Sequence, residues 1–279
     1  MATIHTNGIE TYYETQGAGT PLVLIHGGFV DSRMWAPQIE HFANRFQVIH
    51  YDLRGHGKTG GSPTPKYSID LFADDLKALL EALGLDRVIL CGLSLGGMIA
   101  QSFAVRHTDW LKALILADTA VSVSLTWSDK LTRYVLAPKW LMLATIRWMS
   151  VPRFVDFSFK LAQRTRSSDW FGQDPETAEY VRHAMLSTST AEYLKIYDAI
   201  YDFSLLNLAA INVPTLILNG EYESKTVFQH TRKMLELIPQ SEAHVIPAAG
   251  HTSNMENVAA FNQQVDQFLM KVIAPPTSG

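Results

Sequence analysis

The stretch CGLSLGGM, residues 91–98, joins an apolar run to a helical pattern. Its Gly-x-Ser-x-Gly spacing sets Gly92 and Gly96 two positions on either side of Ser94. A serine on a sharp strand-to-helix turn projects its hydroxyl outward, and larger side chains at the two glycine positions would clash as strand and helix close. Free N–H groups at the helix start can stabilise negative charge nearby. The stretch therefore predicts a nucleophilic serine, Ser94, with the N–H of Leu95 as an oxyanion donor.

Short apolar runs recur along the chain on both sides of this turn, separated by helical patterns. They occupy residues 21–27, 46–52, 87–92, 111–118, 213–220 and 243–250. Continuous apolar runs are typical of strands buried on both faces, and their alternation with helices predicts an α/β fold with a doubly wound, mostly parallel sheet. The N-terminal residues predict a hairpin with Asn7-Gly8 at its turn. Its two antiparallel edge strands bring the sheet to eight.

The alternation stops between residues 121 and 211, where apolar residues fall at helical spacing among charges of both signs. We predict a helical cap at 121–211, inserted after the sixth strand into a core formed by 1–120 and 212–274, with a tail at 275–279. Aromatic residues are frequent in this insertion and suggest an apolar substrate pocket. They include Trp127, Tyr134, Trp140, Trp148, Phe154, Phe157, Phe159, Trp170, Phe171, Tyr193, Tyr197 and Tyr201.

Bulk composition restricts the partners and the compartment. The 279 residues are 47% apolar and 18% charged with a formal charge of −4, which gives no reason to expect nucleic acid or an anionic membrane surface as a partner. The start lacks a secretory pattern, and the apolar residues 136–150 are too few and too interrupted to span a bilayer. A single cysteine, Cys91, excludes an intrachain disulfide and a cysteine-based metal cluster. We expect a cytoplasmic protein without metal or organic cofactor; its oligomeric state is open, a homodimer being one option.

One motif imitates a cofactor site. RGHGKTGG holds Gly55, Gly57 and Gly60 in the spacing of a dinucleotide-binding loop. Such a loop must open a helix whose N-terminus faces the pyrophosphate, but here SPTPKYS follows, with two prolines. The GKT triplet also imitates a phosphate-binding loop, yet Asp52 stands where that loop needs its first glycine. Neither pattern predicts a nucleotide.

A serine hydroxyl needs a general base, and position selects one of the ten histidines. His251, in IPAAGHTSNMENV, follows the last predicted strand, where loops at the carboxyl ends of parallel strands line a common crevice. The chain order serine, acid, histidine also fits. His26 in HGGF is expected to order its loop, and His56 to be structural. The base is therefore predicted to be His251.

The residues alone leave three candidates for the acid that orients this base. Glu223 follows the predicted strand in LILNGEYE and lies on a turn that can aim it. Glu221 precedes it on the same turn, and Asp118 ends the preceding strand. We favour Glu223, with Asp118 as the alternative acid and Glu221 as a third option.

A second oxyanion donor is expected after the first core strand, in LIHGGFVDSRMW. Two consecutive glycines, Gly27 and Gly28, permit a close backbone approach. The donor is the N–H of Gly28 or of Phe29, and the sequence does not decide between them.

With these residues in place, the chain resembles the α/β-hydrolase fold family over nearly its whole length. HGGF, YDLRGHGKT, GLSLGG, PTLILNGE and IPAAGH stand in that family's order and spacing, and YDLRGHGKT, CGLSLGGMIAQ and LILADTA resemble the branch of 3-oxoadipate enol-lactonases and small carboxylesterases. The resemblance implies Ser94 as nucleophile and His251 as base. It departs at Glu223, where the family usually has aspartate.

These residues and the resemblance together imply a serine hydrolase that cleaves small-molecule carboxylic esters or lactones through an acyl-enzyme with a Ser-His-Glu triad. Serine at position 94 argues against dehalogenases and many epoxide hydrolases, which have aspartate there. Three alternatives stay open: an enol-lactonase of aromatic degradation, a non-hydrolytic lyase and a ligand receptor.

Overall fold

The computed structural model describes residues 2–165 and 174–273. Within them, eight strands form one sheet in the order β1-β2-β4-β3-β5-β6-β7-β8. Their bounds are β1 Ala2–Thr6, β2 Ile9–Gln16, β3 Thr20–Ile25, β4 Phe46–Tyr51, β5 Val88–Leu93, β6 Leu111–Ala117, β7 Thr215–Gly220 and β8 Ser241–Ile246. The predicted eight-stranded α/β sheet is confirmed. The runs predicted at 21–27 and 243–250 extend too far, because the chain turns out of the sheet after Ile25 and Ile246.

Helices cover both faces of this sheet. Their bounds are α1 Ala36–Phe42, α2 Ile69–Ala82, α3 Leu95–Arg106, α4 Trp127–Leu131, α5 Lys139–Met149, α6 Val151–Thr165, α7 Pro175–Ser187, α8 Thr190–Tyr201, α9 Lys225–Leu237, α10 Ser253–Glu256 and α11 Val258–Ile273. A π-helical turn, Thr132–Leu136, lies between α4 and α5. None of the described helices has the length and apolar character needed to cross a bilayer.

The sheet is parallel from β4 to β8 and antiparallel at its first edge. The predicted hairpin joins β1 to β2, with positive φ angles of 47° at Asn7 and 76° at Gly8. The parallel strands, including β3 and β5 to β8, all point the same way, so the loops that follow them lie together at the carboxyl ends of the strands. The residues after β3, β5, β6, β7 and β8 therefore meet on this side of the sheet.

Alternate residues of the central strands β3, β5, β6 and β7 enter different hydrophobic clusters. In β3, Leu22 and Leu24 pack in the cluster that includes α1 and α11, whereas Val23 and Ile25 pack in the one that includes α2 and α3. This period of two is the pattern of strands covered on both sides. It explains why the apolar runs in the sequence are continuous.

A buried ion pair fastens the glycine-rich loop to α2. Arg54 Nε donates to Asp75 Oδ2 at 2.8 Å, and both side chains are almost fully buried. Arg54 also donates to the carbonyl of Asn7 at 3.0 Å. A Cβ on Gly57 would lie 2.2 Å from Asp52 Oδ2. Gly57, in the loop that imitates a nucleotide site, is therefore needed for packing against Asp52.

The helices α4 to α8 lie between β6 and β7, within the residues predicted for the cap. Two hydrogen bonds link the strand ends at their base: Asp118 N donates to the carbonyl of Leu218, and Gly220 N to Asp118 Oδ1, both at 2.8 Å. The ring of Tyr193, on α8, stacks on Phe29 of the core with ring centroids 3.9 Å apart. Trp170, Phe171 and the tail 275–279 lie outside the described residues.

Candidate active site

Ser94 occupies a strained turn between β5 and α3, with φ 55° and ψ −115°. A Cβ on Gly92 would lie 2.3 Å from the carbonyl oxygen of Gly96, and a Cβ on Gly96 would lie 2.2 Å from that of Ile25. Both glycines are therefore required by the close approach of strand, helix and β3. The structure agrees with the turn predicted from the Gly-x-Ser-x-Gly spacing.

His251 reaches Ser94 from the loop after β8. Its Nε2 lies 2.9 Å from Ser94 Oγ, and its Nδ1 is hydrogen-bonded to Glu223 Oε1. If Nδ1 carries the proton toward the carboxylate, Nε2 has a free lone pair for the serine hydroxyl. The three side chains thus form a continuous hydrogen-bonded series across the edges of β5, β7 and β8.

The three candidate acids have different partners. Glu223 has a fully buried side chain, and its second oxygen accepts from Ser224 N at 2.9 Å. Glu221 instead accepts from Ala248 N at 2.9 Å, at an exposed position. Asp118 accepts from Gly220 N at 2.8 Å and from the Ser253 hydroxyl. The His251 contact is therefore made by Glu223, while Asp118 connects the segments on which Glu223 and His251 lie.

Charges around His251 favour its protonated form. Burial alone would lower the pKa of His251, but the charge of Glu223, its hydrogen bond and the charge of Asp118 together raise that pKa above its ordinary value. Burial and the nearby charge of Glu223 raise the pKa of Asp118 in turn. An imidazolium formed at His251 would thus be stabilised by the acids beside it.

The glycine loop after β3 lies directly against the turn of Ser94. A Cβ on Gly28 would meet Leu95 Cβ at 3.6 Å, and the next residue, Phe29, has a positive φ of 64°. His26 braces this loop: its Nε2 accepts from Leu53 N at 3.0 Å, so its Nδ1 donates to the carbonyl of Gly27 at 2.7 Å. Burial lowers the pKa of His26 and keeps it neutral in this role.

A cavity of about 340 Å³ opens above Ser94 and His251, within the size range of small-molecule sites. Among the described residues that line it there is no lysine or arginine. Its apolar wall includes Val30, Met34, Met98, Val123, Val181, Met185, Ile200 and Val227. Of the aromatic residues expected to form a pocket, Tyr197 and Tyr201 line it, whereas Trp127, Trp140 and Trp148 are exposed.

Several lining residues were not identified from the sequence. Met34 and Met98 lie on the core, and Val181 and Met185 on α7, so no local spacing connects the core pair with the helix pair. Ser253, the partner of Asp118, lies two residues after His251, which was its only signal. Among the described residues, no cluster of three or more His, Cys, Asp or Glu side chains could hold a metal ion.

A family model described as the alpha/beta hydrolase fold matches residues 20–258. The chain belongs to the α/β-hydrolase fold family. It is 27% identical to 3-oxoadipate enol-lactonase 2 of Acinetobacter baylyi, over 96% of each chain. A thermophilic esterase from Thermogutta terrifontis is 30% identical, with a TM-score of 0.80 over 98% of both chains. The enol-lactonase from Burkholderia xenovorans LB400 is 26% identical, with a TM-score of 0.82 over 96% of this chain and 99% of that chain.

Proposed function

We propose that this α/β-hydrolase fold protein hydrolyses uncharged, largely apolar carboxylic esters through an acyl-enzyme on Ser94. One observation carries the proposal: the hydrogen-bonded series from Ser94 Oγ through His251 to Glu223 at the floor of an apolar cavity. A nucleophile, a base within hydrogen-bond reach and an acid that orients the base are the components of acyl transfer.

In the first half-reaction, His251 Nε2 takes the proton from Ser94 Oγ as that oxygen attacks the ester carbonyl carbon. Glu223 holds Nδ1–H and stabilises the imidazolium. The N–H of Leu95, at the start of α3, and that of Gly28 or Phe29 donate to the oxyanion. His251 then gives its proton to the departing alkoxide, which leaves Ser94 acylated.

The second half-reaction repeats these roles with water. His251 removes a proton from a water molecule, whose oxygen attacks the acyl carbonyl, and the same backbone donors hold the second oxyanion. Collapse breaks the bond to Ser94 Oγ, which recovers its proton from His251. Each step uses only side chains and backbone groups of this chain.

The cavity lining favours neutral substrates. Its carboxylate, Asp118, is not opposed by a lysine or arginine among the described lining residues. A substrate carboxylate placed along this wall would be desolvated without a lysine or arginine partner, which is unfavourable. Apolar acyl or alcohol groups match the methionine, valine and isoleucine side chains of the wall.

Hydrolysis of neutral lactones is the second candidate, favoured by the similarity to enol-lactonases over nearly the whole chain. The same steps apply, except that the released alkoxide stays attached to the acyl group. A lactone that carries a carboxylate fits this cavity less well, because the described lining has no lysine or arginine to pair with it.

A matched pair of proteins tests the acyl-enzyme. Wild type and Ser94→Ala are incubated with a short p-nitrophenyl ester and with a serine-directed phosphonate. We expect turnover and a covalent adduct on Ser94 in the wild type, and neither in the variant. Absence of both in the folded wild type would contradict the proposal. A burst of nitrophenol followed by a stall would point to a ligand receptor. Removal of a proton from a carbon atom of a substrate, without a covalent adduct on Ser94, would point to a lyase.

A further inference from the structure

One continuous segment of the insertion exposes an unusual amount of apolar surface. Thirteen large apolar side chains are exposed in the described part of the chain, and eight of them lie between residues 127 and 157. They are Trp127, Tyr134, Val135, Leu136, Trp140, Leu141, Trp148 and Phe157. We call residues 127–160 the aromatic-basic segment. Clusters of exposed apolar side chains mark interaction surfaces, whereas single ones need no explanation.

Helix α5 shows that this exposure follows the helical period. Trp140, Leu141, Ala144 and Trp148 recur at the spacing of one helix face, and all four are exposed. The opposite side carries Ile146, which is fully buried. A surface helix normally turns polar residues to solvent. Here the solvent face carries these four apolar side chains beside the exposed Arg147, and Trp148 is 85% exposed.

The charge of the segment is opposite to that of the chain. Six lysines and arginines against two aspartates give the aromatic-basic segment a formal charge of +4, while the whole chain carries −4. Four of its cations are exposed and form no ion pair with any other described residue: Lys130, Arg147, Arg153 and Lys160. The composition of the whole chain concealed this local excess.

We propose that the aromatic-basic segment binds the surface of an anionic lipid bilayer. Tryptophan and tyrosine rings favour the headgroup region, and basic side chains beside them are attracted to anionic lipids. Each such cation strengthens binding about fivefold. The expectation of no membrane partner, drawn from the average charge, is thereby revised for surface association; the segment does not cross the bilayer.

A second copy of the chain fits this surface less well. A two-fold contact would bring the same patch of both subunits together, and so would oppose two surfaces of charge +4. Lysine is also depleted in the centres of protein interfaces. An anionic bilayer instead complements both the cations and the aromatic rings.

The segment also adjoins the cavity. Tyr201, which lines the cavity, donates from its hydroxyl to the carbonyl of Ala137 at 3.0 Å. The guanidinium of Arg133 lies 5.8 Å from the centre of the same ring. Lys139, at the start of α5, pairs with Asp202 at 2.7 Å, just beyond α8. A bilayer bound here would therefore lie next to one wall of the proposed ester site.

Vesicle co-sedimentation tests the proposal without any turnover. The full chain is mixed with vesicles of phosphatidylcholine, alone or with phosphatidylglycerol, at low and high salt. We expect binding to the anionic vesicles that weakens with salt and is at least about tenfold weaker on phosphatidylcholine alone. W140S/W148S and R147Q/R153Q should each weaken anionic binding by about an order of magnitude or more.

Matched controls change equivalent residues on other surfaces. L235S/M270S removes two exposed apolar side chains, and R87Q/R232Q removes two exposed cations. Both should bind as the wild type does, and all variants should keep its thermal unfolding curve. The proposal is overturned if the wild type does not bind anionic vesicles, or if the controls weaken binding as much as the segment variants. It is also overturned if W140S/W148S converts a dimer to a monomer and leaves binding to anionic vesicles unchanged.

Discussion

Ser94 has a side chain but also a positive φ, a combination that is unfavourable for any residue except glycine. The strain of such a conformation is about 1–3 kcal/mol, whereas glycine adds about 0.4–1 kcal/mol of unfolded-state entropy. The free energy of unfolding of Ser94→Gly should therefore exceed that of Ser94→Ala by about 1 kcal/mol, although both variants lose the hydroxyl. Equal stability of the two variants in urea titrations would show that the turn is unstrained.

Glu223 sets both the rate and the pH range of the proposed reaction. His251 acts as a base only when neutral, so activity is lost as pH falls through its pKa. That pKa is raised above its ordinary value, so the acidic limb of kcat/KM should lie at higher pH than an unperturbed histidine would give. Glu223→Gln should lower kcat by about 10⁴-fold and move the residual limb to lower pH, because the negative charge beside the ring is gone.

Asp118→Asn is the companion measurement for Glu223→Gln. Its hydrogen bonds go to Gly220 and Ser253, so we expect a smaller loss of kcat than in Glu223→Gln. If Asp118→Asn were the more damaging of the two, the orienting acid would be Asp118.

Among the helices, α2 offers a comparison between neighbouring acids. Asp75 pairs with Arg54 in the interior, whereas Asp74 pairs with Arg106 at the surface and is half exposed. Removing one partner of a buried pair leaves an uncompensated charge. Asp75→Ala should therefore lower the free energy of unfolding by about 3–5 kcal/mol, and Asp74→Ala by no more than about 1 kcal/mol. Chemical denaturation of both variants checks the difference; equal losses would contradict it.

The elements that the sequence predicted are those whose signals are local. The strands showed as continuous apolar runs. Helix α2 has an equally local start signal, because the hydroxyl of Ser68 accepts from Leu71 N at 3.0 Å. The turn of Ser94 needs glycines at fixed positions. These signals depend only on residues a few positions apart.

What could not be predicted depends on distant packing. Glu221 and Glu223 lie two residues apart, and only the path of the turn decides which carboxylate meets His251 and which meets Ala248. In the insertion, tryptophan and tyrosine occur at the same helical spacing, yet Tyr197 faces the cavity and Trp148 faces solvent. Periodicity predicts a face without saying what covers it.

The cavity lies between core and insertion, so its charge preference is a property of the whole molecule. p-Nitrophenyl pentanoate and mono-p-nitrophenyl glutarate have acyl chains of equal length, but the second ends in a carboxylate. We expect kcat/KM for the neutral ester to be higher by a factor on the order of 100 or more, because the carboxylate would lose its water without gaining a lysine or arginine partner. Val227→Lys places a cation on the cavity wall and should lower the ratio of kcat/KM for the neutral ester to kcat/KM for the charged one. A ratio near one in the wild type would contradict the preference for neutral substrates.

The hydrogen bond from Gly220 N to Asp118 joins residues 102 positions apart at the base of the insertion. The chain leaves the sheet at β6 and re-enters it at the adjacent strand, β7. Since closing a loop becomes only slightly harder as it lengthens, the intervening helices can be exchanged or extended at small cost in stability. The residues between β6 and β7 are therefore a suitable segment to replace in engineered variants, because the two strands that flank it stay adjacent in the sheet.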